Sequence, residues 1–487
     1  METNIMFKED AQNVSIQDTN EEKYWLYRER LKKFVYVSSN YDEAGTNIPA
    51  ERISDDETTL YWDDGNGAFN HYLSVLATEY RLLKNQGKDY SQTIKELFYA
   101  LKSFERLDKG AEPAFRPDHS SKPDALNGFF LRNDVNPDFW EKYKSGGSQS
   151  YFGQTIAAYD AALPNSLDNC IHLLESFSLI NALVDTETVD GNKVDFKKLA
   201  RDNTYRIINN MQHPNEPIPV VDFPVLKKTY AYTWYIKNTV TGEPVPMRFG
   251  SGLDGTMIYV SYGLKKAANR ILEADTFTEM KFGYEVCKLI LSNPVSEYQL
   301  QLSAKRKIGI LPLPGIPYFE YAFSIISPEK TFTINLGMPA IGITVSTDSK
   351  TWNIGQDDYK VRSLCATGNM DIVKKMNPYQ VLFKKQMESK IFKYEHFPLI
   401  WAVVTNNKSK VEDSNKNYIK NLLDSAPAEG PYKFFKNNGF QYGSYEWSST
   451  SRLVWPESLG ERNNKITGYF NGLDYMLLYN LYCLVTS

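Results

Sequence analysis

Residues 66–84 read NGAFNHYLSVLATEYRLLK, and after the turn Gly87-Lys88-Asp89 residues 91–107 read SQTIKELFYALKSFERL. In the first stretch Phe69, Leu73, Leu76, Tyr80 and Leu83 recur every three or four residues, the spacing that lays apolar side chains along one face of an α-helix. Ile94, Leu97, Phe98, Leu101 and Phe104 repeat that spacing in the second, with Ser91 placed to cap it and Lys95-Glu96 in its first turns. Two such helices joined by a short polar turn make an αα-hairpin.

The same rhythm runs outward through the chain. It predicts helices over 167–185 and 196–211, over 259–272 and 276–291, and again over 379–391, 396–405, 417–425 and 473–485. Between them, 110–153 is a loop rich in Pro, Asp and Gly, and long ordered loops tend to carry sites. Residues 295–353 change texture: short runs of β-formers broken by Gly and Pro predict a β-rich insertion. The expectation is a mainly α chain, a ring of helical hairpins. Residues 1–22 are a flexible tail, 23–294 the first part of the ring, 295–353 the insertion and 354–487 the closing part.

Composition removes several classes of function. The 487 residues carry 55 Lys+Arg against 59 Asp+Glu, so no basic excess points to a nucleic-acid or anionic-membrane partner. No run of about 18 apolar residues would span a membrane. The four cysteines, Cys170, Cys287, Cys365 and Cys483, form no CxxC pair; Cys170 and Cys483 sit in apolar helical patterns and read as buried thiols. The polar start lacks a hydrophobic signal core, which leaves the cytoplasm, or the periplasm or exterior if a signal has been removed. Aromatic residues make up 14% of the chain, as a large core needs and as sugar-binding surfaces also use.

Polar groups gather where helices begin. Tyr61-Trp62-Asp63-Asp64-Gly65 precedes the helix at 66, and Asn165-Ser166-Leu167-Asp168-Asn169 opens the one at 167. Tyr394-Glu395-His396 opens the one over 396–405, and Phe470-Asn471-Gly472-Leu473-Asp474 opens the last. An Asp or Asn at such a position is first of all a cap, worth about 1 kcal/mol. The neighbouring acids Asp63 and Asp64 exceed what a cap needs, and paired carboxylates divide acid and base roles. If the inner helices of the ring run parallel, these acids share one cleft beside positive helix ends. Around the 110–153 loop, Arg106, Asp108, Glu112, Arg116, Asp118, His119, Arg132 and Asp134 make either a salt-bridge network or a binding surface. Near the C-terminus, Trp447 with Arg452 and Glu446 suits a stacked, hydrogen-bonded sugar, and equally a plug of the ring.

No P-loop, dinucleotide fingerprint or nucleophile elbow occurs, so no cofactor is expected. HxxxH and HExxH spacings are missing too, which argues against a metal site. The motifs YWDDGN, LATEY, FERLDKGAE, NGFFLRND, NSLDN, YEHFPLIW, SAPAEGPY, YEWSSTSRL and FNGLDYMLLYNLY together resemble a group of bacterial proteins with the look of (α/α) toroids, over roughly 24–486. That resemblance implies a carbohydrate-active, glycosidase-like enzyme acting on an oligo- or polysaccharide. Asp63 or Asp64 would take one acid/base role and Asp168, Glu112 or Glu395 the other. Trp62, His119, Arg132, Trp447, Arg452 and Asp474 would bind substrate, and in a lyase variant a Tyr or His119 would remove a proton beside a uronate. The alternative is a non-catalytic glycan-binding or structural protein whose 295–353 segment, with its apolar run 308–326, meets a protein partner.

Overall fold

The computed structural model describes residues 19–54, 56–62, 66–115, 126–138, 148–151, 154–157, 165, 167–211, 235–237, 244–246, 255–277, 299–300, 305–310, 317–326, 331–337, 342–347, 366–368, 396–426 and 469–487. Helices make up most of the regular structure there, so the described part is mainly α. Its helices are α1 (Asn20–Leu31), α2 (Asn66–Asn85), α3 (Ser91–Phe115), α4 (Leu167–Leu183), α5 (Phe196–Met211), α6 (Gly255–Leu272), α7 (His396–Val404), α8 (Asp413–Ser425) and α9 (Leu473–Thr486).

The first hairpin forms for local reasons. Gly87 ends α2 with φ at +65°, and the Lys88 and Gly87 amides donate back to the carbonyls of Leu83 and Lys84, closing the last turn. The Asp89 carboxylate, and not Ser91, caps α3 by accepting the Ser91 amide at 2.9 Å. Helix α3 continues through Gly110 to Phe115, two turns past the predicted end, so the loop expected from 110 starts later. A short hairpin, β3 (Ser148–Tyr151) with β4 (Gln154–Ala157), straddles its predicted end, and two more follow, β5 (Thr186–Val189) with β6 (Asn192–Asp195) and β7 (Tyr235–Lys237) with β8 (Pro244–Pro246).

Helix α1 begins at Asn20, inside the stretch expected to be a tail, because Thr19 and Glu22 form a capping box. It buries Tyr24, Tyr27, Leu31 and Lys23. The Lys23 ammonium donates to the carbonyls of Leu423, Asp424 and Ala426, satisfying the end of α8. Arg28 reaches Glu79 of α2 at 2.7 Å and Glu96 of α3 at 3.2 Å, while Thr93 donates to Glu79 at 2.7 Å. Burial and these carboxylates push the Tyr24 and Tyr72 phenols well above their ordinary values.

Four helices form a closed circuit, with α2 against α4 and α9, and α7 against the same two. Their starts lie together and so do their ends, which makes them parallel. In the second turn of α2, Asn70 accepts the Ser176 amide from the middle of α4, and the His396 ring at the head of α7 bonds the Asp474 carbonyl in the first turn of α9 at 2.9 Å. Midway, the Asn480 carboxamide of α9 reaches the Val75 carbonyl and the Thr78 hydroxyl of α2. At the ends, Arg81 of α2 donates to the Leu183 carbonyl of α4. Helices α3 and α5 return the chain beside α2 and α4, α6 lies against α4 and α5, and α1 and α8 cover α9. Between these layers lies one apolar core that includes Phe69, Tyr72, Phe104, Phe177 and Tyr475.

The predicted β-rich stretch holds an antiparallel five-stranded sheet: β10 (Lys305–Ile310), β11 (Pro317–Ile326), β12 (Thr331–Gly337) and β13 (Gly342–Thr347) in order, with β9 (Gln299–Leu300) also on β11. Side-chain burial of the apolar run 308–326 and the predicted helices 276–291 and 379–391 lie outside the described residues, apart from Thr276 and Phe277. Cys170 is buried as expected. Cys483 is only partly so, although burial raises its thiol pKa. Among the described residues no helix is long and apolar enough to cross a membrane.

Candidate functional site

A small sheet sets the two sides of the site. Strand β1 (Arg52–Ile53) pairs with both β2 (Leu60–Tyr61) and β14 (Tyr469–Phe470), so the residues leading into α2 and α9 leave the two strands that flank it. Asn471 locks this in place: its amide bonds the Glu51 carbonyl, its carboxamide the Ala50 carbonyl, and its side-chain oxygen accepts the Leu473 amide at 3.1 Å. Gly472 makes the turn with φ at +76°, and a Cβ there would lie 2.5 Å from the Tyr27 ring, so only glycine fits.

Three of the five histidines meet where the helices start. His71 lies in the second turn of α2, His172 in the second turn of α4, and His396 opens α7. All three are buried, and His172 and His396 are close enough to act on the charge of His71. His71 is 1% exposed, and among the described residues neither of its ring nitrogens has a hydrogen-bond partner. Burial first, and then repulsion from His172 and His396, hold its pKa well below the ordinary 6.5. It is therefore a neutral imidazole at neutral pH, with one donor and one acceptor unspent. Buried polar groups are nearly always paired, and exceptions concentrate at working sites. His172 Nδ1 lies 3.7 Å from Glu175 Oε2, and the other oxygen of that buried carboxylate has no partner among the described residues. His396 Nε2 faces a carbonyl, which accepts, so that nitrogen carries the proton. No three His, Cys, Asp or Glu side chains among the described residues are arranged to hold a metal ion.

His71 has a consequence for stability. Its folded pKa lies below its unfolded one, so below about pH 6.5 the unfolded chain takes up a proton that the native chain refuses. Stability contributed by the neutral ring is full above that pH and is lost as pH falls, with a slope approaching about 1.4 kcal/mol per pH unit. Urea unfolding between pH 8 and pH 5 is expected to show this slope in the native sequence and a flatter one in His71→Gln.

The predicted site residues fare unevenly. Asp63, Asp64, His119, Glu395, Trp447 and Arg452 lie outside the described residues, and of Glu112 and Asp168 only the backbone positions, the end of α3 and the first turn of α4, are described. Trp62, expected to hold a sugar, is 4% exposed and packs into the core, where its indole N–H has no acceptor among the described residues. Asp474 is fully buried in the first turn of α9, where its carboxylate accepts the Tyr475 amide at 2.9 Å, while Gly472 takes the cap position. Arg132 is half-buried in the segment after α3.

Of the acids and arginines around that segment, Arg106, Asp108 and Asp134 serve structure. Arg106 forms a two-pronged pair with Asp134 at 2.7 and 2.9 Å. Asp108 accepts the amides of Asn127 and Gly128, and burial raises its pKa to about 6 against the pull of Arg206. His71, His172 and Glu175 were missed as site residues because each sits within an apolar helical pattern. The available signal was that both histidines fall in the second turn of helices whose starts were already grouped.

No family model matches this chain, and no curated protein or solved structure matches it either.

Proposed function

We propose that this protein is a carbohydrate-active enzyme on an (α/α) toroid, working by acid–base chemistry at the end of the ring where the inner helices begin. The reading is carried by one observation: the starts of α2, α4, α7 and α9 are neighbours, and they bring together an unpartnered neutral His71 with His172 and His396. Parallel helix starts add positive potential there, which suits a carboxylate or a developing negative charge. The chain leads into α2 through Asp63 and Asp64, directly after Trp62, so sequence assigns that acid pair to the same end. One of the two is the acid or base, and Asp168, Glu112 or Glu395 supplies its opposite. A neutral imidazole adds a second proton acceptor, as a hydrolase or a lyase uses.

The non-catalytic, glycan-binding or structural reading is favoured by a different observation, the 0–1% exposure of His71, His396 and Asp474. A product screen separates the two. The protein is incubated with a broad panel of poly- and oligosaccharides and released fragments are read by mass spectrometry, beside Asp63→Asn/Asp64→Asn. Fragments from the unaltered protein alone are expected. Release that survives in the variant keeps the enzyme and discards the acid pair, and no release from any substrate puts the scaffold reading ahead.

A further inference from the structure

At the opposite end, where the parallel helices stop, lies a cavity of about 640 Å³. Its walls come from the last turns of α2, α4, α6, α7 and α9, with Lys197 from α5 and Lys408 from the 3₁₀ turn after α7. Helix ends carry partial negative charge, so cations are expected here, and two of them serve that purpose. Arg81 donates to the Leu183 carbonyl and pairs with Asp185, while Arg270 donates to the carbonyls of Gly368 and Val404.

Lys197 and Lys408 are different. Both are half-buried, and neither forms an ion pair among the described residues. The acid in the lining, Glu273, is already paired with Arg201 at 2.6 Å. The same wall holds Ser178, 3% exposed, whose hydroxyl has no hydrogen-bond partner among the described residues. Among those residues, two ammonium groups without an ion-pair partner and a buried hydroxyl without a hydrogen bond thus line one cavity, inside the roughly 300–1,000 Å³ range of small-molecule sites.

We propose that this cavity binds a small hydroxylated organic anion, its carboxylate or phosphate held by Lys197 and Lys408 and a hydroxyl by Ser178. The site is remote from the histidines and does not rest on the function read from them. It is tested by titration calorimetry of the full chain with gluconate, glucose 6-phosphate and neutral glucose. At least one anion is expected to bind at millimolar concentration or below, more weakly as salt is added, while glucose does not.

A charge-assisted hydrogen bond contributes about 1.5–3 kcal/mol, so Lys197→Gln/Lys408→Gln is expected to weaken binding about tenfold or more. Both lysines lie outside the core, and circular dichroism checks that the variant is folded. Ser178→Ala, which keeps both charges, is expected to weaken binding less. Binding of gluconate alone identifies a carboxylate ligand, and of glucose 6-phosphate alone a phosphate ligand. Absence of binding by either anion, equal binding of glucose, or unchanged affinity in the double-lysine variant overturns the assignment.

Discussion

Arg106→Ala is expected to lower folding stability by about 3–5 kcal/mol, the cost of stranding the buried charge of Asp134. The guanidinium is 4% exposed and the carboxylate not at all. Besides the two-pronged pair, Arg106 donates to the Thr46 hydroxyl at 2.9 Å, the Thr46 carbonyl at 3.1 Å and the Tyr41 carbonyl. One side chain therefore ties α3 to the 41–46 turn and to the 126–138 segment. Urea unfolding measures the loss. The exposed pair of Lys32 and Glu29 supplies the contrast: there Lys32→Ala is expected to leave the midpoint unmoved, because water solvates the remaining carboxylate. Equal effects at the two sites would contradict the burial described for Arg106.

His172→Gln is expected to reduce turnover of an active saccharide by about 10²–10⁴-fold, the range of a positioned acid or base. Glutamine keeps the approximate size of the ring and its ability to hydrogen-bond, so the fold is expected to stay intact while proton transfer is lost. The argument rests on placement: His172 is buried beside Glu175 and within electrostatic reach of His71, at the end where the helix starts converge. A change confined to KM would make His172 a binding group. Full activity would remove the histidines from the chemistry.

Much of the helical framework was legible, and for a plain reason. In α2, α4 and α5 the apolar spacing is regular and the ends carry turn residues, so pattern and structure agree there. Helix α3 outran its predicted end because Gly110 and Pro113 read as breakers, whereas the Leu131 amide bonded to the Leu107 carbonyl and Ala111 buried in the core hold that region packed. Helix α1 was hidden by its composition: NEEKYWLYRERL is polar on average, and its buried face includes Lys23, which belongs inside only because it satisfies the end of α8.

The site was legible in position and not in membership. Grouping the helix starts followed from repeated polar motifs before apolar runs. Which side chains meet there depends on how the helices rotate against one another, and periodicity carries no signal for that. His71 and His172 occupy apolar faces, so each reads as a core residue until the neighbouring helix is placed beside it. Trp62 and Asp474 read as surface binders because polar neighbours flank them, yet the β1–β2–β14 sheet folds both inward.

Three histidines from three helices share one buried site, and ring-resonance titration by NMR tests this without any ligand. His71 is expected to remain neutral well below pH 6.5, and its titration is expected to move back towards that value in His172→Gln, where one source of repulsion is gone. A His71 that titrates near 6.5 and ignores the substitution would show that the histidines do not share a site.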